Sequence, residues 1–506
     1  MDEATGEPLP GVVQARDAAG KLIPFEELVN RGQGIEEPGP IHDWWILPKV
    51  TTVMVPARLL KLTAFSGLET ELATLDLDLR DRREASPKIA LKRFADARRA
   101  RLLAGNTHLH LKKLSKQQAD RYLSEVPLGD GLDVVFLSYL ERAGSDLDYT
   151  SNKYSHEDLH RLSHNHLHLG YGEELRHNFD AYGEGYGHIL LLDIPIIIRP
   201  VSIGPGLTEA KFDAPPLQAG IEQARDAKGK VIWAHNRYGF EDIPNWITGR
   251  IHANNIYDGS ERGSYRDTYY RYLNIGLHVP FSTGTDWFIY DLSRVYVETD
   301  PARPVTPTEW LERLAAGKTY ITNGPLLEFT VDGQPIGSTI ELAKSGALSV
   351  RARAVGRSDF KRIELVHNGQ VVERADSRRD KGHFVADMEL RLPINASAWL
   401  ALRTPPRPVA GDPELQEPVP SNEFGGGIFA HTSPVYVNVG GDAVFDAATA
   451  EGLLDEMRSD MREIDEHATF ANNAERQRVM HVYEEAIGVL AERLEKAPSR
   501  EESPSP

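Results

Sequence analysis

The chain has 506 residues, with 57 Lys and Arg against 75 Asp and Glu, for a formal charge of −18. That length exceeds one compact core, so two to four domains are expected. So acidic a surface repels phosphate backbones and anionic membranes, which disfavours nucleic acid or a membrane as partner, and the absence of cysteine excludes disulfides, thiolate metal sites and a cysteine nucleophile.

The opening Met-Asp-Glu-Ala-Thr is polar and acidic, unlike a secretory leader. The longest apolar run, 189–198, contains Asp193 and Pro195 and is too short to span a bilayer. The expectation is a soluble cytoplasmic protein, exported only if a leader has been removed.

Over 1–100, short apolar runs such as Val50-Thr-Thr-Val-Met-Val-Pro56 alternate with Gly and Pro breakers. Period-two patterning of this kind predicts an N-terminal β-sandwich-like domain. From 101 to 325 the texture changes. Strand-like runs at 104–111, 133–140, 166–175, 188–195, 230–236, 251–257 and 279–288 are separated by helical stretches at 117–126, 216–227 and 265–274. Thr306-Pro-Thr-Glu309 reads as a capping box with Pro at the first helical position, opening a helix over 310–316. Strands alternating with helices predict an α/β domain, a parallel (β/α)7 barrel. Residues 326–440 return to strand patterning, with Gly333, Gly337 and Asn368-Gly369 as turn signals, and predict a C-terminal β-sandwich. A helical tail is expected over 441–497 and disorder over 498–506.

Histidines and carboxylates fall at the ends of these strands. His108 and His110 lie two apart on the first, so both rings share a face. Glu173 and Glu174 end the third, His188 opens the fourth after Gly187, His235 ends the fifth and Asp286 ends the seventh. In a parallel barrel the loops at the C-terminal strand ends converge on one mouth, and imidazoles with carboxylates suit Zn²⁺ or Mn²⁺. A lone strand histidine is more often a hydrogen-bonded structural residue, and this chain has 18 histidines. The case for a metal site therefore rests on the coincidence of positions, not on any one motif.

The series Gly105-Asn-Thr-His108-Leu-His110, Gly172-Glu-Glu174, Gly187-His188, Ala234-His235-Asn and Gly284-Thr-Asp286 resembles the PHP (polymerase and histidinol phosphatase) superfamily. Within it, the chain is most similar to the carbaryl-hydrolase-like branch of metallohydrolases, over roughly 103–337 and including Thr319-Tyr-Ile-Thr-Asn-Gly-Pro325. The resemblance implies a distorted seven-stranded barrel with flanking sandwiches. It implies a first metal held by His108, His110, Glu174 and Asp286, and a second by Glu174 as bridge with His188 and His235. Glu174 fits the bridging position better than Glu173. Many members hold a third metal, whose ligands are absent here together: the first motif runs on into Leu111-Lys-Lys-Leu, the second strand reads Phe136-Leu-Ser-Tyr139, and the last position is Phe288. Loss of one complete set with the others spared implies a two-metal site.

Two divalent ions about 3.5–4 Å apart acidify a water held between them, which suits hydrolysis of an ester, carbamate or amide in a small organic substrate. Asp286 is the expected proton acceptor. His177 is a candidate transition-state stabiliser or proton donor, with a supporting role equally open. Asn236, Arg237, Trp287 and Tyr290 follow ligands closely and are expected substrate-binding walls, with Trp287 and Phe288 making the pocket more apolar.

Three rivals stand beside this reading. Arg176, Arg199 and Arg237 would serve a phosphoesterase of the same fold. A non-catalytic protein gripping a glycan or another protein is a second. The third is a zinc peptidase, because His156-Glu157-Asp-Leu-His160 matches His-Glu-x-x-His, with His166 near the position of a third ligand. Against it, Ser163 stands where the turn needs Gly, no Met occurs between Met54 and Met388, and 144–155 is polar. His164, His166 and His168 are read as structural. No Walker A, dinucleotide-binding or Gly-x-Ser-x-Gly motif occurs in a suitable context.

Overall fold

The computed structural model describes residues 1–164, 166–179, 185–207, 211–236, 239–260, 263–410, 412 and 415–497. Arg237 and the tail 498–506 lie outside the described residues. The protein is mixed α/β, built on a curled mixed sheet with two further sheets. Among the described residues no helix is long and apolar enough to cross a membrane.

The N-terminal region is a single antiparallel sheet, in the order Val29–Asn30, Trp45–Leu47, Gly11–Asp17, Leu59–Phe65, Ala73–Asp78. Alternation along Leu59–Phe65 sends Leu60 and Leu62 to one core, with Val13, Ala15 and Phe25. The other face sends Val12, Ile46 and Phe65 to a second core shared with Tyr122, Leu123 and Val126 of the helix Lys116–Gly129. Where a stacked pair of sheets was expected, a helix covers the second face.

All seven expected strands of the middle region form. Leu102–His110, Val134–Tyr139 and His168–His177 pair in parallel. Gly187–Leu192 then runs antiparallel to both the third strand and Lys230–Trp233. This corrects the all-parallel expectation. Only 178–186 connects the third and fourth strands, and a parallel return needs a crossover of a dozen or more residues. Lys230–Trp233, Ala253–Asn255 and Phe281–Ser282 are again parallel. Asp286 and Trp287 then pair with Leu109 and His110, so the sheet curls back to its first strand.

Of the expected helices, Lys116–Gly129, Leu217–Asp226 and Pro307–Ala315 form as read. The segment near 265–274 is π-helical over Arg266–Tyr270 before one α-turn, Arg271–Leu273. At Thr306 half of the capping box is present. The Thr306 hydroxyl accepts from the Glu309 N–H, but Glu309 turns its own carboxylate to the Asp300 N–H.

The C-terminal region has one antiparallel sheet, including Leu326–Val331, Gly346–Gly356 and His383–Ile394. It shares a core with a second layer that includes Arg362–His367, Ala398–Arg403 and Val435–Val439. The Asn368-Gly369 turn is as read, with φ of 48° and 88°. That second layer is hydrogen-bonded, through Ala430–Thr432 and Thr319–Thr322, to the curled sheet itself. Helices Ala447–His467 and Asn473–Lys496 close the middle region's core with Leu453, Met457, Val482 and Tyr483.

Candidate metal centre

The six residues read as ligands meet at one end of the curled sheet. Glu174 is the hub, and its two oxygens divide the cluster. Oε2 faces His110 Nε2 at 2.9 Å and His108 Nε2 at 3.6 Å. Oε1 faces His188 Nδ1 at 3.1 Å and His235 Nε2 at 3.6 Å. Asp286 Oδ1 joins the first pair, 3.6 Å from His108 Nε2 and 3.7 Å from His110 Nε2. Three groups with ligand spacing result: His108, His110, Glu174 and Asp286; Glu174, His188 and His235; and His108, His235 and Asp258. All are buried except His235 and Asp286, which are partly exposed and mark the open side.

Local backbone explains the convergence. His108 and His110 share a face by strand alternation, and Glu174 faces them from the third strand. Glu173, one residue earlier, turns the other way and accepts the Ile198 N–H at 2.7 Å. Burial pushes Glu173 up to about 8, so it carries its proton at neutral pH. His235 and Asp286 have left-handed φ of 58° and 55°, a strained choice for non-glycine residues that gathers at functional sites. Gly284 is required here, because a Cβ on it would lie 2.5 Å from the His108 Cβ.

The outward hydrogen bonds fix the tautomers. His110 Nδ1 lies 2.9 Å from the Ser138 carbonyl and His235 Nδ1 lies 3.0 Å from the Asp258 carbonyl. A carbonyl only accepts, so both Nδ1 atoms carry hydrogen. His108 Nδ1 donates likewise to Asp258 Oδ2 at 2.8 Å. In the neutral rings each Nε2 is therefore a lone pair. Yet His108 Nε2 and His110 Nε2 stand 2.9 Å apart, and His110 Nε2 is equally close to a Glu174 oxygen. Acceptors at that distance repel unless a proton or a cation lies between them.

The titration behaviour has the same origin. Burial opposes ionisation of Glu174, but the four histidines around it hold its carboxyl well below the usual range. Burial lowers His108, and Asp258 outweighs it, leaving His108 well above an ordinary imidazole. His235 rises to about 9, because Glu174, Asp258 and Asp286 overcome its burial. His188 falls to about 3 through burial and the neighbouring Arg176. These two rings flank one carboxylate and move oppositely because their other neighbours differ in sign.

A metal fits the donor set. Imidazole nitrogens and carboxylate oxygens are ligands of borderline divalent ions. Glu174 Oε1 and Asp286 Oδ1 are buried oxygens that accept no hydrogen bond. The outward Nδ1–H bonds are the supporting contacts that metal-bound histidines use.

Of the other residues singled out from the sequence, His177 lies elsewhere. His177, three positions past Glu174, projects to the opposite face. Its Nε2 meets Asp213 Oδ1 at 2.9 Å, its Nδ1 accepts the Tyr186 N–H, and its ring stacks on Tyr186, so it is tied into the core. Asn236 uses its side-chain oxygen on the Tyr257 N–H. The Tyr290 hydroxyl donates to the Tyr257 carbonyl. Trp287 does flank the cluster, with its ring 5.1 Å from His110 and edge-on to Tyr149. Phe288, expected in the pocket, is instead buried against Tyr122, because its left-handed backbone turns the ring inward.

Sequence reasoning missed Asp258. It lies three residues past the sixth strand, Ala253–Asn255, meets His108 through its carboxylate and His235 through its carbonyl, and forms the third ligand-spaced group with them. A carboxylate followed by Gly259 at a strand end was the available signal.

The zinc-peptidase motif forms no site. His156, Glu157 and His160 are exposed on the short helix His156–Leu162, capped by Ser155. Among the described residues none of them belongs to a ligand group. His164 and His166 are exposed and His168 is half-buried. In comparisons with known proteins, the chain matches no family model and no curated protein.

Proposed function

We propose that the chain is a metal-dependent hydrolase of the PHP type that cleaves an ester, carbamate or amide bond in a small organic molecule with two divalent ions, Zn²⁺ or Mn²⁺. In this reading the curled sheet is a distorted seven-stranded barrel and the flanking sheets are its accessory sandwiches. The observation that carries the reading is the crowding of buried imidazole nitrogens around Glu174, whose two oxygens address separate histidine pairs. Bound there, the ions would supply Lewis acidity and a water acidified towards neutrality.

The chain's own residues take defined parts. Glu174 bridges its two groups, and Asp258 holds the His108 ring in its ligating orientation. Asp286, partly exposed and adjoining the open side, is placed to take a proton from the attacking water. Trp287, half-buried beside His110, offers an aromatic wall.

A second reading, phosphoester hydrolysis, draws on the cations near the cluster. Arg176 Nη1 lies 3.7 Å from Glu174 Oε1, and Lys112 and Arg142 both lie over the Trp287 ring. The test is a panel of aryl esters, aryl carbamates, anilides and aryl phosphates with Zn²⁺- or Mn²⁺-loaded protein. Turnover of the acyl substrates supports the first reading and turnover of phosphates alone the second. No bound metal and no turnover would leave a non-catalytic glycan- or protein-binding protein.

A further inference from the structure

We infer that the N-terminal sheet is part of the frame of the metal centre, with Arg31 as the positioning residue that holds the segment carrying Asp286. The inference rests on the two-ion reading above.

Arg31 follows the short strand Val29–Asn30 and is fully buried. Its Nε lies 3.0 and 3.1 Å from the two oxygens of Asp130, at the end of helix Lys116–Gly129, and its Nη2 completes the fork. Its Nη1 donates to the Ile289 carbonyl, three residues past Asp286. The Ile289 N–H donates to the Tyr122 hydroxyl at 2.9 Å, so both backbone groups of Ile289 are held by side chains from outside its own segment. Between these anchors and the ligand, Phe288 packs its ring against Tyr122 and over Gly34, where a Cβ would collide with it. The turn that presents Gly34 is itself braced, with the Asn30 side chain accepting from the Gly32 N–H at 2.9 Å.

The need for such a brace is local. Asp286 and Phe288 both have left-handed φ, 55° and 57°, a conformation non-glycine residues keep only where surroundings impose it. The strand pairing at Asp286–Trp287 is two residues long. Arg31, Tyr122 and Gly34 supply what that pairing lacks. A guanidinium suits the task because it forks onto a carboxylate and still has a donor for a carbonyl, which an ammonium cannot match in geometry.

Asp286 belongs to the group of His108, His110 and Glu174 and not to that of Glu174, His188 and His235. Loosening its segment should weaken one ion and spare the other, whereas general destabilisation weakens both. The full chain, stripped with chelator, is titrated with Co²⁺, read by calorimetry and by the ion's visible absorption. Wild type should take up two equivalents. In Arg31→Lys, which keeps the charge, and Gly34→Ala, which perturbs Phe288 without touching charge, one equivalent should weaken roughly 10–100-fold, as for other residues that orient ligands, and the other should keep its affinity. Circular dichroism establishes that each variant is folded. Folded variants in which both equivalents weaken together, or neither does, would overturn the inference alone. A wild type that binds no Co²⁺ sinks the two-ion reading as well.

Discussion

Two regions of this protein place a pair of histidines beside carboxylates at metal-binding spacing in the sequence, and only one of them gathers buried groups that could hold a metal. His156 and His160 sit one turn apart on a short helix with Glu157 between them, all exposed. Water solvates those rings, and nothing there demands a cation. His108 and His110 are buried with their Nδ1 hydrogens spent outward, so their Nε2 atoms crowd each other and Glu174 and need a proton or a cation between them. Spacing nominates ligands. Burial and crowded ring nitrogens give them work to do.

The comparison breaks most decisively at Glu174. Glu174→Gln removes the charge shared by its two groups and should abolish uptake of both ions and hydrolysis, a loss above the roughly 100-fold typical of supporting residues. Metal content by plasma emission and turnover by absorbance check it, and full occupancy in the variant would undo the hub. Asp258→Asn should come next, lowering affinity by roughly 10–100-fold, mainly in the group of His108, His110, Glu174 and Asp286, because His235 is held by a backbone carbonyl that survives the change.

The buried region should also respond to pH. His235 has a folded pKa of about 9 against about 6.5 when unfolded. A raised folded pKa gives stability that is whole below about pH 6.5 and is lost as pH climbs through 9. Glu173, raised to about 8, acts in the same direction from about 4.3 upward. Metal-free protein should therefore melt at a lower temperature at pH 9 than at pH 6.5. With Zn²⁺ present, proton release on binding should shrink or reverse that trend. A metal-free chain that melts higher at pH 9 would contradict the cluster's electrostatics. The smallest effects belong to the helix, where His156→Ala and His160→Ala should each move stability by no more than about 0.5 kcal/mol and leave hydrolysis intact.

Much of the candidate site was legible because each ligand is local to a strand end. The alternation of His108 and His110, and Gly187 before His188, follow from backbone geometry within a few residues. Asp258 was not legible as a partner, since its role depends on the sixth strand lying beside rings from two others. His177 misled for a related reason: three residues past Glu174 is near in sequence but on the other face of a strand. Phe288 and Arg237 divide similarly, one turned into the core by a left-handed backbone, the other outside the described residues.

By itself the sequence determined the seven strands of the middle region, the helices Lys116–Gly129, Leu217–Asp226 and Pro307–Ala315, the turn at Asn368-Gly369 and the candidate ligands, all set by periodicity and residue type over short windows. Tertiary structure alone decided the antiparallel fourth strand, the division of Glu174's oxygens between two histidine pairs, and the joining of both flanking regions to the curled sheet. Those features depend on which distant segments exclude water from one another, and no short window of sequence encodes that.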